Sequence, residues 1–414
     1  MIAAIADGTS HLRNYSTSAD CAATLSCLEK LGVRIDRHDH EVIVHGAGLN
    51  GFRAPASDLD CENSGTTMRL LSGILAGQNF VSTLTGDESL RSRPMQRIIE
   101  PLGMMGARVG SLNGRAPLRI EPKRPLQAID YQLLTASAQV KSCILLAGLH
   151  ADGRTTVVEN EITRDHTERM LQWFGADIEV GNPEREPETA RFAAVTGRAQ
   201  LTARDLQIPG DISSAAYFIA AAALLRDSSL QIEQVGMNPT RTAALNLFAA
   251  MNFIELHNVR EDANEPVGII DVSGAADYPL MRELDSPLLI DSSDIAQLID
   301  ELPLLAVVGS QFAHGIEIRN AKELRVKESD RIAATAAGLR AMGCAVEEYD
   351  DGLRVDGPAK LQGARIESRG DHRIAMSFAV AGLVAEGETE IVGSDCVAVS
   401  FPEFFDLLES VTEA

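Results

Sequence analysis

The chain has 414 residues, 45% of them hydrophobic and 4% aromatic, with a formal charge of −22. That length accommodates two domains with cores of their own, and the hydrophobic share excludes a disordered chain. The acidic balance excludes an electrostatic footprint for nucleic acid or an anionic membrane.

Met1–Ala6 is apolar but lacks the basic flank and the length of a signal peptide. Two kinds of helix-like segment then alternate. In the first kind, a polar cluster runs into a helix of small apolar residues. These clusters lie at Asn63-Ser64-Gly65-Thr66, Ser137 to Lys141, Gly210 to Ser214, Asp300 to Pro303 and Gly370 to Arg373. The second kind is amphipathic and usually closes on a glycine turn. It starts near Asp20, Met95, Thr167, Thr242, Glu328 and Phe401. Each polar cluster precedes an amphipathic segment by 28 to 32 residues, except that the Asp20 segment has no such partner. By that spacing, a further helix of the first kind would begin near position −10.

Successive clusters are 74, 74, 89 and 71 residues apart, which suits a repeated small αβ unit. Alternating runs at Val42–His45, Ala116–Ile120, Gly268–Val272 and Gly352–Val355 predict strands between the helices. The expected fold is therefore α/β (or α+β): two lobes, each of three strand-helix-strand-helix-strand-strand units. The Pro-Gly turn at Gln207–Gly210 places the lobe boundary there, giving lobes 1–208 and 209–414, with Asp211 capping the next helix. Gly181–Arg191 and Glu261–Pro266 read as solvated hairpin tips. The longest apolar run, Ala215–Leu225, spans 11 residues and is too short to cross a bilayer. The six cysteines show no CxxC pair and read as small buried hydrophobes of a reducing cytosol.

The densest charge lies at Glu323–Arg331, where both signs interleave at a helix start. On a helix, Lys327 and Arg331 would stand one turn apart with Glu328 beside them. Arg373 follows Asp371 and His372 at another helix start, where an arginine opposes the helix dipole unless an anion shares the site. Arg69, Arg93 and Arg164 lie near other polar clusters. Cations beside helix N-termini in an acidic protein point to a focused site for phosphate or carboxylate ligands. No phosphate-binding loop of the G-x-x-x-x-G-K-[ST] type and no metal-ligand spacing occurs.

The motifs NSGTTMRLLSG (63–73), RPMQRIIEPLGMMGA (93–107), SAQVKS (137–142), RDHTERML (164–171) and PGDISSAA (209–216) run in one order with NPTRT (238–242), LIDELPLLAV (298–307), ELRVKESDRI (323–332), GDHRIAMSFAVAGL (370–383) and SFPEF (400–404). Over nearly the whole chain they resemble the 5-enolpyruvylshikimate-3-phosphate (EPSP) synthase family. The resemblance implies a two-lobed, inverse α/β-barrel-like fold of βαβαββ units closing on a cleft. It implies transfer of the enolpyruvyl group of phosphoenolpyruvate to the 5-hydroxyl of shikimate 3-phosphate, without metal or organic cofactor, by a cytoplasmic monomer. By motif, Glu328 shuttles the proton at C3, Lys327 assists, Asp300 sits at the 5-hydroxyl and His372 orients the cluster. Arg331 and Arg373 hold the phosphoenolpyruvate carboxylate; Arg93, Gln139 and the backbone at Gly65 face its phosphate. Ser137, Ala138, Gln139, Thr163, Asp300 and Lys327 contact shikimate 3-phosphate.

Three departures from the family pattern carry further expectations. The family's opening turn, with its Lys, Ser and Arg, has no counterpart, so Met1–Thr9 is expected to continue the helix after that turn. Its absence leaves a catalytically impaired or regulatory relative as the alternative to an enzyme. Thr163 stands where many relatives carry Ser, and Leu70 and Val399 also differ. The sister transferase acting on UDP-N-acetylglucosamine would need a reactive Cys in a basic loop, and none of the six cysteines lies in one.

Overall fold

In this computed structural model, residues 1–183, 190–274 and 285–412 are described. Contacts divide the chain into one unit of residues 1–208 with Asp262–Glu265, and a second of 209–261 with 266–414. Each unit has its own apolar core.

One sheet pattern recurs. In the first unit, Leu59–Asp60 runs parallel to Ser82–Thr85, which pairs antiparallel with Arg115–Glu121, and that strand with Arg108–Leu112. Asp130–Gln132, Arg154–Glu159, Arg191–Thr196 and Ile178–Gly181 repeat the order. The sheet of Asp7–Arg13, Glu41–Ala47 and Arg34–His38 does so again, with the parallel position taken by Leu206–Gln207. In the second unit, Leu288–Ile290, Ile316–Ile318, Gly352–Val355 and Val346–Tyr349 follow it too. The hairpin expected at Glu261–Pro266 joins Ile254–Asp262 to Glu265–Ser273, but its tip is half-buried rather than solvated, with Glu265 Oε1 2.7 Å from His166 Nδ1. The Gly181–Arg191 tip lies partly outside the described residues, since 184–189 are not among them.

The small-residue helices Gly65–Ala76, Ala138–Gly148, Ile212–Leu224, Leu302–Gly309 and His372–Val384 are buried on nearly every side. Such helices suit an interior, which is why they carry Ala, Gly and Leu all round. They approach closely: a Cβ on Gly73 would lie 2.2 Å from the carbonyl oxygen of Cys143. Ser64, Ser137, Asp211 and Asp371 cap four of them by accepting backbone N–H groups, each contributing about 1 kcal/mol.

The amphipathic helices flank the sheets. Gly32, Gly106, Gly175 and Gly343 close four of them at φ between +86° and +97°, and Asn252 takes the same role at φ 58°. Glu88–Ser92 and Ser292–Leu298 are additional helices that the alternating pattern does not contain.

The chain start corrects one expectation. A short buried helix spans Ile2–Ile5, but Asp7–Thr9 does not continue it. Those residues pair with His45–Ala47, so pairing within the sheet decides their conformation.

Candidate active site

In the first unit the polar helix starts gather two arginines. Ser64 Oγ accepts from Thr67 N and opens the Gly65–Ala76 helix. A Cβ at Gly65 would lie 2.8 Å from Arg69 Nη1 and 3.4 Å from Arg93 Nη1. Arg93 donates to Asn63 Oδ1 at 2.6 Å, and Asn63 donates to Asp87 Oδ2 at 2.7 Å. Gln139 accepts from Arg69 and donates to Thr66 Oγ1 at 2.8 Å. Gly65, Arg93 and Gln139 are thus linked, with Ser137 and Ala138 at the same helix start as Gln139. Backbone N–H groups, the helix dipole and two guanidinium groups together form a corner whose chemistry suits an anion.

Thr163 is placed by a group that the sequence reading missed. Its N and Oγ1 both donate to Glu159 Oε2, at 3.3 and 2.6 Å. The other oxygen of Glu159 accepts from Lys141 Nζ at 3.0 Å, and Lys141 also meets Glu168 Oε1 at 2.8 Å. Side-chain exposure of these three is 2–5%, so the ion pairs are dry. Burial pulls the Lys141 ammonium down, but the two carboxylates outweigh it and raise its pKa. Burial raises Glu168 against the opposing pull of Lys141, and Glu168 Oε2 has no hydrogen-bond partner.

In the second unit, Arg331 is the hub. Its Nε donates to Asp371 Oδ2 at 2.9 Å, Nη2 to Glu328 Oε2 at 2.7 Å, and Nη1 to Asp300 Oδ1 at 3.4 Å. Lys327 Nζ lies 3.8 Å from the same oxygen of Asp300. Burial works against the Arg331 charge, but Asp371, Glu328 and Asp300 outweigh it. Burial likewise pushes Asp371 up, and Arg331 holds it below the usual carboxylate range.

The helix geometry expected here needs correction. Lys322–Val326 is a 3₁₀ turn, Asp330 caps the next helix through Ala333 N at 3.0 Å, and that helix begins at Arg331. Lys327 and Arg331 therefore do not share a helix face. The short side chain of Asp330 competes for the first-turn N–H groups and starts the helix late.

Arg373 corrects a second expectation. Its Nη1 lies 3.9 Å from Glu301 Oε1, so the chain's own carboxylate answers the charge at this helix start. Glu301 also accepts from Ser213, which accepts from Arg241. Burial raises Glu301, with Arg373 opposing. The second unit is thus a mixed network of cations and carboxylates rather than a purely positive site.

His372 is buried, and its Nδ1 makes no hydrogen bond to the cluster. Burial and then the Arg373 charge push it down to about 4, so it is neutral at pH 7. Cys27, Cys61, Cys143 and Cys344 are buried free thiols; Cys21 and Cys396 are half-buried. Among the described residues no His, Cys, Asp or Glu group could hold a metal ion, and no helix is long and apolar enough to cross a membrane.

The repeated units and buried polar helix starts match a known class. The enolpyruvyl transferase NikO from Streptomyces tendae superposes with a TM-score of 0.75 at 19% identity, over 100% of this chain and 90% of that one, which shows a shared fold. Within that class the chain belongs to the EPSP synthase (3-phosphoshikimate 1-carboxyvinyltransferase) family, whose sequence profile matches residues 1–408.

EPSP synthase from Acinetobacter baumannii superposes with a TM-score of 0.85 at 40% identity, over 99% of this chain and 92% of that one. The 3-phosphoshikimate 1-carboxyvinyltransferase of Koribacter versatilis is 51% identical over 100% of this chain and 93% of its own length. The protein of the same name from Salinibacter ruber is 47% identical over the same shares. These alignments take in 99–100% of this chain and 92–93% of the relatives' own lengths.

Proposed function

We propose that this chain transfers the enolpyruvyl group of phosphoenolpyruvate to the 5-hydroxyl of shikimate 3-phosphate and releases inorganic phosphate, acting as a cytoplasmic monomer. The family membership supports this reading. The observation that carries it is the joining of Asp300, Glu328 and Arg331 in one ion-pair network, with Lys327 beside Asp300.

The reaction adds a proton to C3 of phosphoenolpyruvate while the 5-hydroxyl attacks C2 and loses its own proton. The tetrahedral adduct then loses a proton from C3, and the C2–O bond to phosphate breaks. Asp300 serves as base or orienting group at the hydroxyl, and Glu328, with Lys327, moves the C3 proton. Arg331 and Arg373 receive the phosphoenolpyruvate carboxylate; Gly65, Arg93 and Gln139 receive its phosphate. Ser137, Ala138, Gln139, Thr163, Asp300 and Lys327 hold shikimate 3-phosphate, while His372 packs as a neutral ring beside Arg373. A carboxylate arriving on Arg331 competes with Glu328 for the same guanidinium, which loosens Glu328 for proton transfer.

The reading of an impaired or regulatory relative is not favoured. Relatives at about half identity over the whole chain bear the transferase name, and the Asp300, Lys327, Glu328, Arg331 and Arg373 set is complete. Phosphate release is the test. It should require phosphoenolpyruvate and shikimate 3-phosphate together, and UDP-N-acetylglucosamine should not substitute for the latter. No release with both substrates present would defeat the proposal.

A further inference from the structure

The buried Lys141–Glu159–Glu168 group takes no part in the chemistry above, yet it joins three elements. Lys141 belongs to the Ala138–Gly148 helix that Ser137 opens, Glu159 ends the Arg154–Glu159 strand, and Glu168 lies in the His166–Trp173 helix. Thr163 lies on the connection between that strand and that helix. A buried ion pair is weak evidence for stability, since apolar residues of the same volume often do as well. Its value here is directional. Glu159 Oε1 is occupied by the ammonium, so Oε2 is left to Thr163, where it accepts both the backbone N–H and the hydroxyl.

We infer that Glu159, clamped by Lys141, is a positioning residue for shikimate 3-phosphate binding: it fixes the Thr163 hydroxyl in place relative to Ser137 and Gln139. The inference rests on the proposed contact between Thr163 and that substrate. It predicts that Glu159 matters for one substrate and not for the other, because neither Arg93 nor Gly65 depends on it. Glutamine at position 159 is close to isosteric but cannot make the same set of contacts. With its carbonyl on Lys141, its amide NH₂ faces the Thr163 N–H, so two donors meet.

The experiment is a double-mutant cycle read in steady-state kinetics. Glu159→Gln should raise KM for shikimate 3-phosphate about tenfold, the scale of one lost hydrogen bond. KM for phosphoenolpyruvate and kcat should stay within about twofold. Thr163→Val, which removes the hydroxyl and keeps the shape, should raise the same KM, whereas Thr163→Ser should not. In the Thr163→Val background, Glu159→Gln should add nothing further. Ser142→Ala is the control for general loosening. It deletes the 2.7 Å hydroxyl contact to Thr167, which joins the same two helices without touching Glu159. It should leave the KM unchanged.

Multiplying effects in the double variant, an unchanged KM in Glu159→Gln, or an equal rise in Ser142→Ala would each overturn the inference alone. An unchanged KM in Thr163→Val would remove the proposed substrate contact and the inference with it. Should Glu159→Gln fail to fold, Glu159→Asp, which keeps a carboxylate for Lys141 but shortens its reach to Thr163, carries the same cycle.

Discussion

Arg331 Nη2 sits 2.7 Å from Glu328 Oε2, three residues away in the chain and just outside the helix that Arg331 begins. The guanidinium is almost fully buried, while the carboxylate remains about one-fifth exposed. The proposed proton carrier is thus tethered to the proposed carboxylate clamp. Glu328→Gln keeps the tether's shape but cannot exchange a proton. Its maximal rate should fall by about 100-fold or more, with substrate dissociation constants changed far less. Equilibrium titration beside steady-state kinetics checks this; full turnover in the variant would transfer the proton role to Lys327.

Arg373→Ala should act differently. It deletes the proposed clamp on the phosphoenolpyruvate carboxylate, which would act in ground and transition states alike, so KM for phosphoenolpyruvate should rise most. It also leaves Glu301 buried beside a lost cation, at a cost of about 2–5 kcal/mol in stability. Adding Glu301→Gln should recover much of the melting temperature without restoring phosphoenolpyruvate affinity. Recovery of both would show that Arg373 acts only through folding.

Two buried histidines set an acid limit on stability. Burial, helped by Arg124, takes His150 from its ordinary 6.5 to about 4, and burial with Arg373 does the same to His372. Between these values the unfolded chain binds a proton that the folded chain does not. Stability therefore falls as pH drops from 6.5 towards 4, by at most about 3 kcal/mol per histidine. Urea denaturation at about pH 7 and pH 5 should show a smaller difference in His150→Gln than in the parent. An equal difference would mean that His150 is protonated in the folded state.

Lys141→Met strands two carboxylates in the interior, Glu159 and Glu168. The expected loss is about 3–5 kcal/mol of unfolding free energy. Combining it with Glu168→Gln should return part of that loss, which denaturant titration can resolve.

Gly65→Ala places a methyl group against the Arg69 and Arg93 guanidinium groups. Both are ends of flexible side chains, so the helix should survive while the anion corner is displaced. A rise in KM for phosphoenolpyruvate with little change in melting temperature is the expected result.

The parts of this fold governed by local chemistry are legible in the sequence. Ser64, Ser137, Asp211 and Asp371 announce their helices because a cap acts within three residues of itself. Glycine turns at Gly32 and Gly343 are read the same way. The Lys327–Arg331 segment misleads because charge spacing says nothing of where a helix starts, and Asp330 decides that. The Lys141 group is hidden because its members lie on three elements and meet only after folding. Its one visible trace is Lys141 at the end of the polar cluster that opens the Ala138–Gly148 helix. The family resemblance implies a helix through Asp7–Thr9, and partners more than thirty residues away make it a strand.

The near-contact of Gly73 with the backbone of Cys143 bears on how this protein can change over time. Two helices that touch main chain to main chain have no side chains between them to trim or enlarge, so their spacing is not adjustable by small substitutions. The distance between the Gly65 and Ser137 helix starts is inherited as a fixed dimension. New ligand preferences must come from exchanging residues at those starts, and a change at Gly73 or Cys143 that parts the helices would shift the whole corner at once.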